Sequence, residues 1–135
     1  MQRKFLYPII FAIGGMFGWL IDTTYRSWLV GYYAPGTLVP FFSIIFGIGA
    51  VILYLFFSSA NISFLWSVIG GVAMCIALEL ASGILSLALL DYRFWDYSAN
   101  PFNFYGLIDL RHGFYWLVLT TNYRLFYEYV TTSRK

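Results

Sequence analysis

The sequence predicts an all-α, polytopic membrane protein of four transmembrane helices, and three observations carry that expectation. Hydrophobic residues make up 61% of the 135 and charged residues only 10%, whereas a soluble domain carries about 25% charge. Four apolar segments follow one another, separated by short polar or turn-rich links. The longest of them holds one acidic residue, Glu79, and an ionisable group in the middle of a membrane-length run is costly enough to mark a site.

Segment one is uncharged from Phe5 to Ile21 and is expected to continue as helix to about Leu29. At the rise of an α-helix that uncharged run nearly crosses a hydrocarbon core of about 30 Å. Arg3-Lys4 ahead of an apolar run has the outline of a signal peptide. No small-x-small cleavage site follows, however, and Asp22 and Arg26 arrive instead, so the segment is expected to be retained. Gly14, Gly18, Asp22 and Arg26 fall four apart and share one stripe of this helix. Small residues there let a second helix come close in lipid. Asp22 and Arg26 are spaced for an ion pair in the same groove; the alternative is a snorkelling pair at a helix end.

Gly31 to Pro40 is turn-rich, with Pro35-Gly36 as a breaker. Segment two is expected from Leu38 or Phe41 to Phe57, with Gly47 and Gly49 as packing points. The link Ser58 to Ser63 is short, polar and uncharged, which makes segments two and three an antiparallel hairpin. Segment three, Phe64 to Leu90, is about 40 Å long as helix, more than a core thickness, so it is expected to tilt or emerge. Gly71, Cys75, Glu79 and Gly83 again fall four apart. Offset by 57 positions, Gly14 matches Gly71, Gly18 matches Cys75 and Asp22 matches Glu79, which is either a weak repeat of two helical hairpins or chance among small residues.

Segment four follows the helix-breaking Asn100-Pro101 and is expected to span about His112 to Tyr129, with Arg124 and Glu128 paired at its far end. The alternative is a shorter span followed by an interfacial amphipathic helix. The expected organisation is thus a single transmembrane domain, 1–135, with spans at about 5–29, 38–57, 64–90 and 112–129. Trp19, Trp28, Tyr32, Tyr33, Trp95 and Trp116 stand near segment ends, as interfacial aromatic belts do. The ends and the link between segments two and three carry a balance of +4 and the opposite side −2. Counting Lys and Arg alone, five against three, this predicts both termini in the cytoplasm and insertion in the plasma (inner) membrane.

Several chemistries are excluded. A net charge of +2 without a Lys/Arg cluster argues against nucleic acid. One cysteine, Cys75, and one histidine, His112, cannot form a nitrogen/sulfur metal cluster, and no metal or cofactor is expected. An oxygen-only cation site from Asp91, Asp96 and Asp109 lacks a loop signature. His112, Asp109 and Ser98 have the composition of a nucleophilic triad, but not its spacing. No GxxxxGK[ST] loop is present, so energy-driven transport needs a separate ATPase.

What is left is a polar network. Asp22, Arg26, Glu79, Asp91, Arg93, Asp96, Asp109, Arg111 and His112 gather at or just inside the outer boundary, with Glu79 deepest. Ionised Glu79 needs a partner in low dielectric, and Arg26, Arg93 and Arg111 are the candidates, since a guanidinium can hold a carboxylate with two parallel hydrogen bonds.

The run Gly18-Trp19-Leu20-Ile21-Asp22 with Tyr25-Arg26, then Pro40, Gly47-Ile48-Gly49 and Glu79, then Trp95-Asp96-Tyr97-Ser98 with Asn103, Gly106, Ile108 and Leu110, resembles the ABC-transporter type IV (CmpB-like) membrane family. The resemblance covers about Gly14 to Trp116, and its most specific part is the block from Trp95 to Leu110. The family pattern has Glu where this chain has Asp22, Tyr where it has Phe46, and a richer glycine run where it has Ala34-Pro35-Gly36-Thr37. The shorter Asp22 reaches less far, so the geometry of its pair with Arg26 is expected to differ. The resemblance implies a small multi-pass permease-like protein and adds Tyr25, Trp95, Tyr97 and Asn103 to the candidate site.

The expected function is therefore a permease-like integral membrane protein, possible as a transporter subunit that lacks its own ATPase. Its partners would be membrane lipid, an ATPase or other membrane subunits, or a second copy of the chain. Two alternatives stand beside it: a non-catalytic structural or accessory subunit of a larger membrane complex, and an intramembrane enzyme acting on a lipid head group through Glu79 or Asp96.

Overall fold

A computed structural model describes residues 3–59 and 61–133, with side chains from Phe5 onward. The described residues are mostly helical and form four helices, α1 (Arg3–Val30), α2 (Ile44–Ser59), α3 (Phe64–Leu90) and α4 (Leu110–Thr132), with a hairpin of two-residue strands, β1 (Asn103–Phe104) and β2 (Ile108–Asp109), ahead of α4. Two helices, over Phe5–Val30 and Phe64–Leu90, are long and apolar enough to cross a membrane. The terminal charges Arg3, Lys4, Arg134 and Lys135, on which the expected orientation rests, lie outside the described side chains. The chain divides into two compact units, 1–51 and 52–135.

In the first unit, α1 ends at Val30 because Gly31 turns left-handed, at φ +78°, where a side chain would be strained. Gly14, Gly15 and Gly18 let the start of α2 and the residues before it lie against α1: a Cβ at Gly14 would strike the Ala50 methyl, and one at Gly15 or Gly18 the rings of Phe42 and Phe46. The glycine stripe is thus a packing surface. The apolar run that begins at Leu38 is longer than the helix it feeds, since α2 starts only at Ile44. Pro40 offers no N–H, Phe41 is left-handed at φ +62°, and the Phe42 amide turns back to the Val39 carbonyl at 3.3 Å. The Ser43 amide then donates to the Gly15 carbonyl at 2.9 Å, and the Ser43 carbonyl accepts the first α2 bond from Gly47.

In the second unit, α3 and α4 pack as an antiparallel pair. The buried stripe of α3, Ser67, Gly71, Cys75, Glu79 and Gly83, repeats every four residues, as the sequence spacing predicts. α4 answers it residue by residue: Arg124 donates to Ser67, the Thr120 methyl fills the notch at Gly71, the Thr120 hydroxyl meets the Cys75 thiol at 3.8 Å, and Trp116 reaches Glu79. Thr120 is fully buried. Leu53, Phe57 and Cys75 form the apolar core of this unit, with Phe56, Tyr123 and Tyr127 against it. α4 begins at an N-cap, where the Asp109 carboxylate accepts from the His112 amide at 2.7 Å. Arg124 and Glu128 form the expected pair, at 2.8 Å.

Candidate functional site

Glu79 is a buried carboxylate of the second unit, 7% exposed and midway along an apolar helix of 27 residues. Each of its oxygens accepts a hydrogen bond: Oε1 from the Tyr97 hydroxyl at 2.9 Å, Oε2 from the Trp116 indole at 2.8 Å. One donor comes from the loop between α3 and α4, the other from α4 itself, so a single carboxylate ties three parts of the unit together. A buried acceptor supplied in this way avoids the 1–3 kcal/mol cost, roughly, of an unmade bond.

The loop exists to bring Tyr97 there. The Trp95 indole donates to the Leu107 carbonyl at 2.8 Å, and the Tyr97 amide to the Gly106 carbonyl at 2.8 Å. Asn103 donates to the Asn100 carbonyl at 2.8 Å and accepts from the Gly106 amide at 3.0 Å. Gly106 is left-handed, at φ +67°, and a Cβ there would run into Asp96 and Ser98. Trp95, Asp96, Tyr97, Ser98, Asn103 and Gly106, all singled out in the sequence, thus have a part in folding the loop or in holding Glu79. Trp95 and Trp116 are half-buried donors to polar acceptors.

Beside Tyr97 stands a second pair. The His112 ring stacks on the Tyr97 ring with centroids 3.7 Å apart and planes 11° from parallel. Its Nδ1 lies 2.7 Å from Asp109 Oδ1, and the Asp109 side chain is completely buried. Asn100 donates to the other Asp109 oxygen. Burial alone would raise the Asp109 pKa, but the His112 amide, the Asn100 side chain and the His112 ring together outweigh it and hold the carboxyl below the ordinary carboxylate range. Asp96 is also held low, chiefly by the Ser98 hydroxyl, then by the Ser98 amide. That contact commits the Ser98 hydroxyl to Asp96 and leaves the triad composition of Ser98, Asp109 and His112 unassembled.

Of the arginines expected around Glu79, the two in the second unit have other surroundings. Arg93 donates to the Tyr105 carbonyl at 3.0 Å and stands 3.9 Å from Asp96 on the exposed side of the loop. Arg111 is exposed, and among the described residues it has no hydrogen-bond or ion-pair partner. Arg26, in the first unit, pairs with Asp22 at 2.8 Å, as its spacing predicts. That pair lies against the backbone of Gly36, where a Cβ would displace it, so the short Asp22 still closes the bridge. Tyr25 lines a shallow groove with Leu20, Ile21, Thr24 and Trp28, apart from that pair.

Sequence reasoning gathered His112 among the polar groups of the outer boundary but passed over Trp116 as part of the site. A signal was available: Asp109, His112, Trp116 and Thr120 recur at three and four residues, which puts them on one face of a helix.

Among the described residues, no group of three or more His, Cys, Asp or Glu side chains is arranged to hold a metal ion. Helices of this length and composition, with an acid built into one of them, define a helical membrane protein. The chain belongs to the family described as Putative ABC-transporter type IV, whose model matches residues 9–134. That membership connects it with transport in general. No curated protein and no solved structure matches it.

Proposed function

We propose that the chain is a small permease-like membrane protein, its four helices spanning the bilayer, whose working polar group is Glu79 and whose energy comes from a separate ATPase subunit. The single observation that carries this reading is the buried Glu79 carboxylate with a loop tyrosine on one oxygen and an α4 tryptophan on the other. A passing ligand that took the place of Tyr97 would move the loop, and with it the Asp109–His112 pair stacked on that tyrosine. Binding at Glu79 and movement at the membrane face would then be one event. Asp96, Arg93, Asn103 and Arg111 line the outer approach in this reading, and Asp22, Tyr25 and Arg26 serve the first unit.

The test is complementation of a deletion strain by Glu79→Gln, which keeps the shape and removes the charge. The expected result is failure to complement at wild-type levels of protein in the membrane. Full complementation would contradict the proposal.

The Asp109–His112 pair favours a second reading, an intramembrane enzyme acting on a lipid head group. An aspartate that fixes a ring nitrogen orients a histidine as a base. This reading requires product turnover by the purified chain alone, without ATP or partner.

A further inference from the structure

On α1, Trp19 and Thr23 carry hydrogen-bond donors whose neighbours do not use them. Thr23 is 6% exposed, and its hydroxyl and the Trp19 indole nitrogen are both buried without a hydrogen-bond partner among the described residues. One other buried side-chain donor, Arg124 Nη1, is in the same position among the described residues, on a guanidinium whose other nitrogens are engaged. Thr121 and Thr131 donate to the carbonyls of Leu117 and Tyr127, one turn back, as threonines in helices commonly do. Thr23 could do the same to Trp19 and does not. The other half-buried tryptophans, Trp95 and Trp116, both have acceptors.

Trp19 and Thr23 are four apart, so they are neighbours on one helical stripe. The Trp19 ring is held edge-on by Phe41, with centroids 5.0 Å apart. Phe41 itself adopts a left-handed backbone that an aromatic residue rarely takes. The fold therefore accepts strain next to an indole whose N–H has no acceptor. An unpaired buried donor is destabilising, and each one in a native structure needs an account.

The second unit supplies the chemistry. There, one indole N–H and one hydroxyl hold a carboxylate, that of Glu79. Trp19 and Thr23 present the same two donor types, and among the described residues no carboxylate accepts from either. We propose that they form a binding site for the carboxylate of a ligand. Arg26, one turn beyond Thr23 and paired to Asp22, adds a cation near the same stripe. The carboxylate can belong to a small soluble acid or to a fatty acid that enters from the bilayer. This inference stands apart from the role proposed for Glu79, and its test uses no transport assay.

The experiment follows the thermal midpoint of the purified chain in neutral detergent as sodium acetate, sodium laurate or dodecanol is added. A bound ligand raises the midpoint with concentration. The expected result is saturable stabilisation by acetate, which identifies a soluble acid, or by laurate but not dodecanol, which identifies a fatty acid. Thr23→Val and Trp19→Phe each remove one donor at nearly constant shape and should weaken the response about tenfold. Without ligand, both variants should be as stable as the wild type or more so, because a partnerless donor contributes nothing. Three results would overturn the proposal: no stabilisation by either acid, equal stabilisation by dodecanol, or a response that both variants keep. A loss of ligand-free stability in both variants would do the same, since it would reveal a partner already in place, a buried water included.

Discussion

The Trp116 indole reaches across from α4 to donate to Glu79 on α3 at 2.8 Å, joining two residues 37 positions apart in sequence. This bond sets the register of the α3–α4 pair, with Thr120 one turn further along α4 against Cys75 one turn back along α3. Trp116→Phe keeps most of the ring and removes the donor. It should cost about 1–3 kcal/mol, read as a lowered unfolding midpoint in detergent. In a Glu79→Leu background the same change should cost much less, because the interaction is already gone.

Asp109 caps α4 and orients His112. A carboxyl held below its ordinary value is favoured in its ionised form by the fold. Its contribution is therefore complete above the unfolded value, about pH 4, and is lost as pH falls through the lower folded value. Asp109→Asn should lower stability at pH 7, and the gap between variant and wild type should narrow below about pH 4. Unfolding midpoints across that range measure it.

Two glycines should respond in opposite senses to alanine. At Gly18 a methyl would fall inside the Phe46 ring, so Gly18→Ala should destabilise by about 1–3 kcal/mol. At Gly113, within α4, the nearest atom to a new Cβ is Ile76 Cδ1 at 3.8 Å, which is ordinary contact. Gly113→Ala should stabilise by about 0.5–1 kcal/mol through helix propensity and the stiffer unfolded chain. Paired unfolding curves would show the two signs.

Arg124 lies over the rings of Phe57, Phe64 and Tyr127 at 5.5–5.8 Å while bonding to Ser67 and Glu128. A lysine has neither the planar face nor the fork. Arg124→Lys should therefore cost about 1–2 kcal/mol despite the conserved charge, and a matched loss from Ser67→Ala in the arginine background, but not in the lysine one, would identify the shared contact.

What could be read from the sequence was what lies within one helix. The Asp22–Arg26 and Arg124–Glu128 pairs, and the buried stripe through Glu79, follow from a four-residue spacing and are found as expected. The donors on Glu79 lie 18 and 37 residues away, so their arrival depends on how the loop and α4 dock. Charge made arginines the obvious partners, and nothing local in the sequence pointed to the phenol and the indole that donate to Glu79, which need no desolvated cation. The acceptors of Trp95 and Trp116 were equally hidden, since an amphipathic ring reads alike at an interface or in a polar core. The late start of α2 was hidden by apolar residues around Pro40, because hydrophobicity records burial and not backbone direction.

The most direct test is the indole ¹⁵N–¹H spectrum of the protein in lipid nanodiscs, recorded for the wild type and for Glu79→Leu. The Trp116 resonance should move upfield in the variant as its N–H loses the carboxylate, while those of exposed Trp28 and Trp66 stay in place. A Trp116 resonance that does not move would mean that Glu79 is not held as described, and would contradict the account.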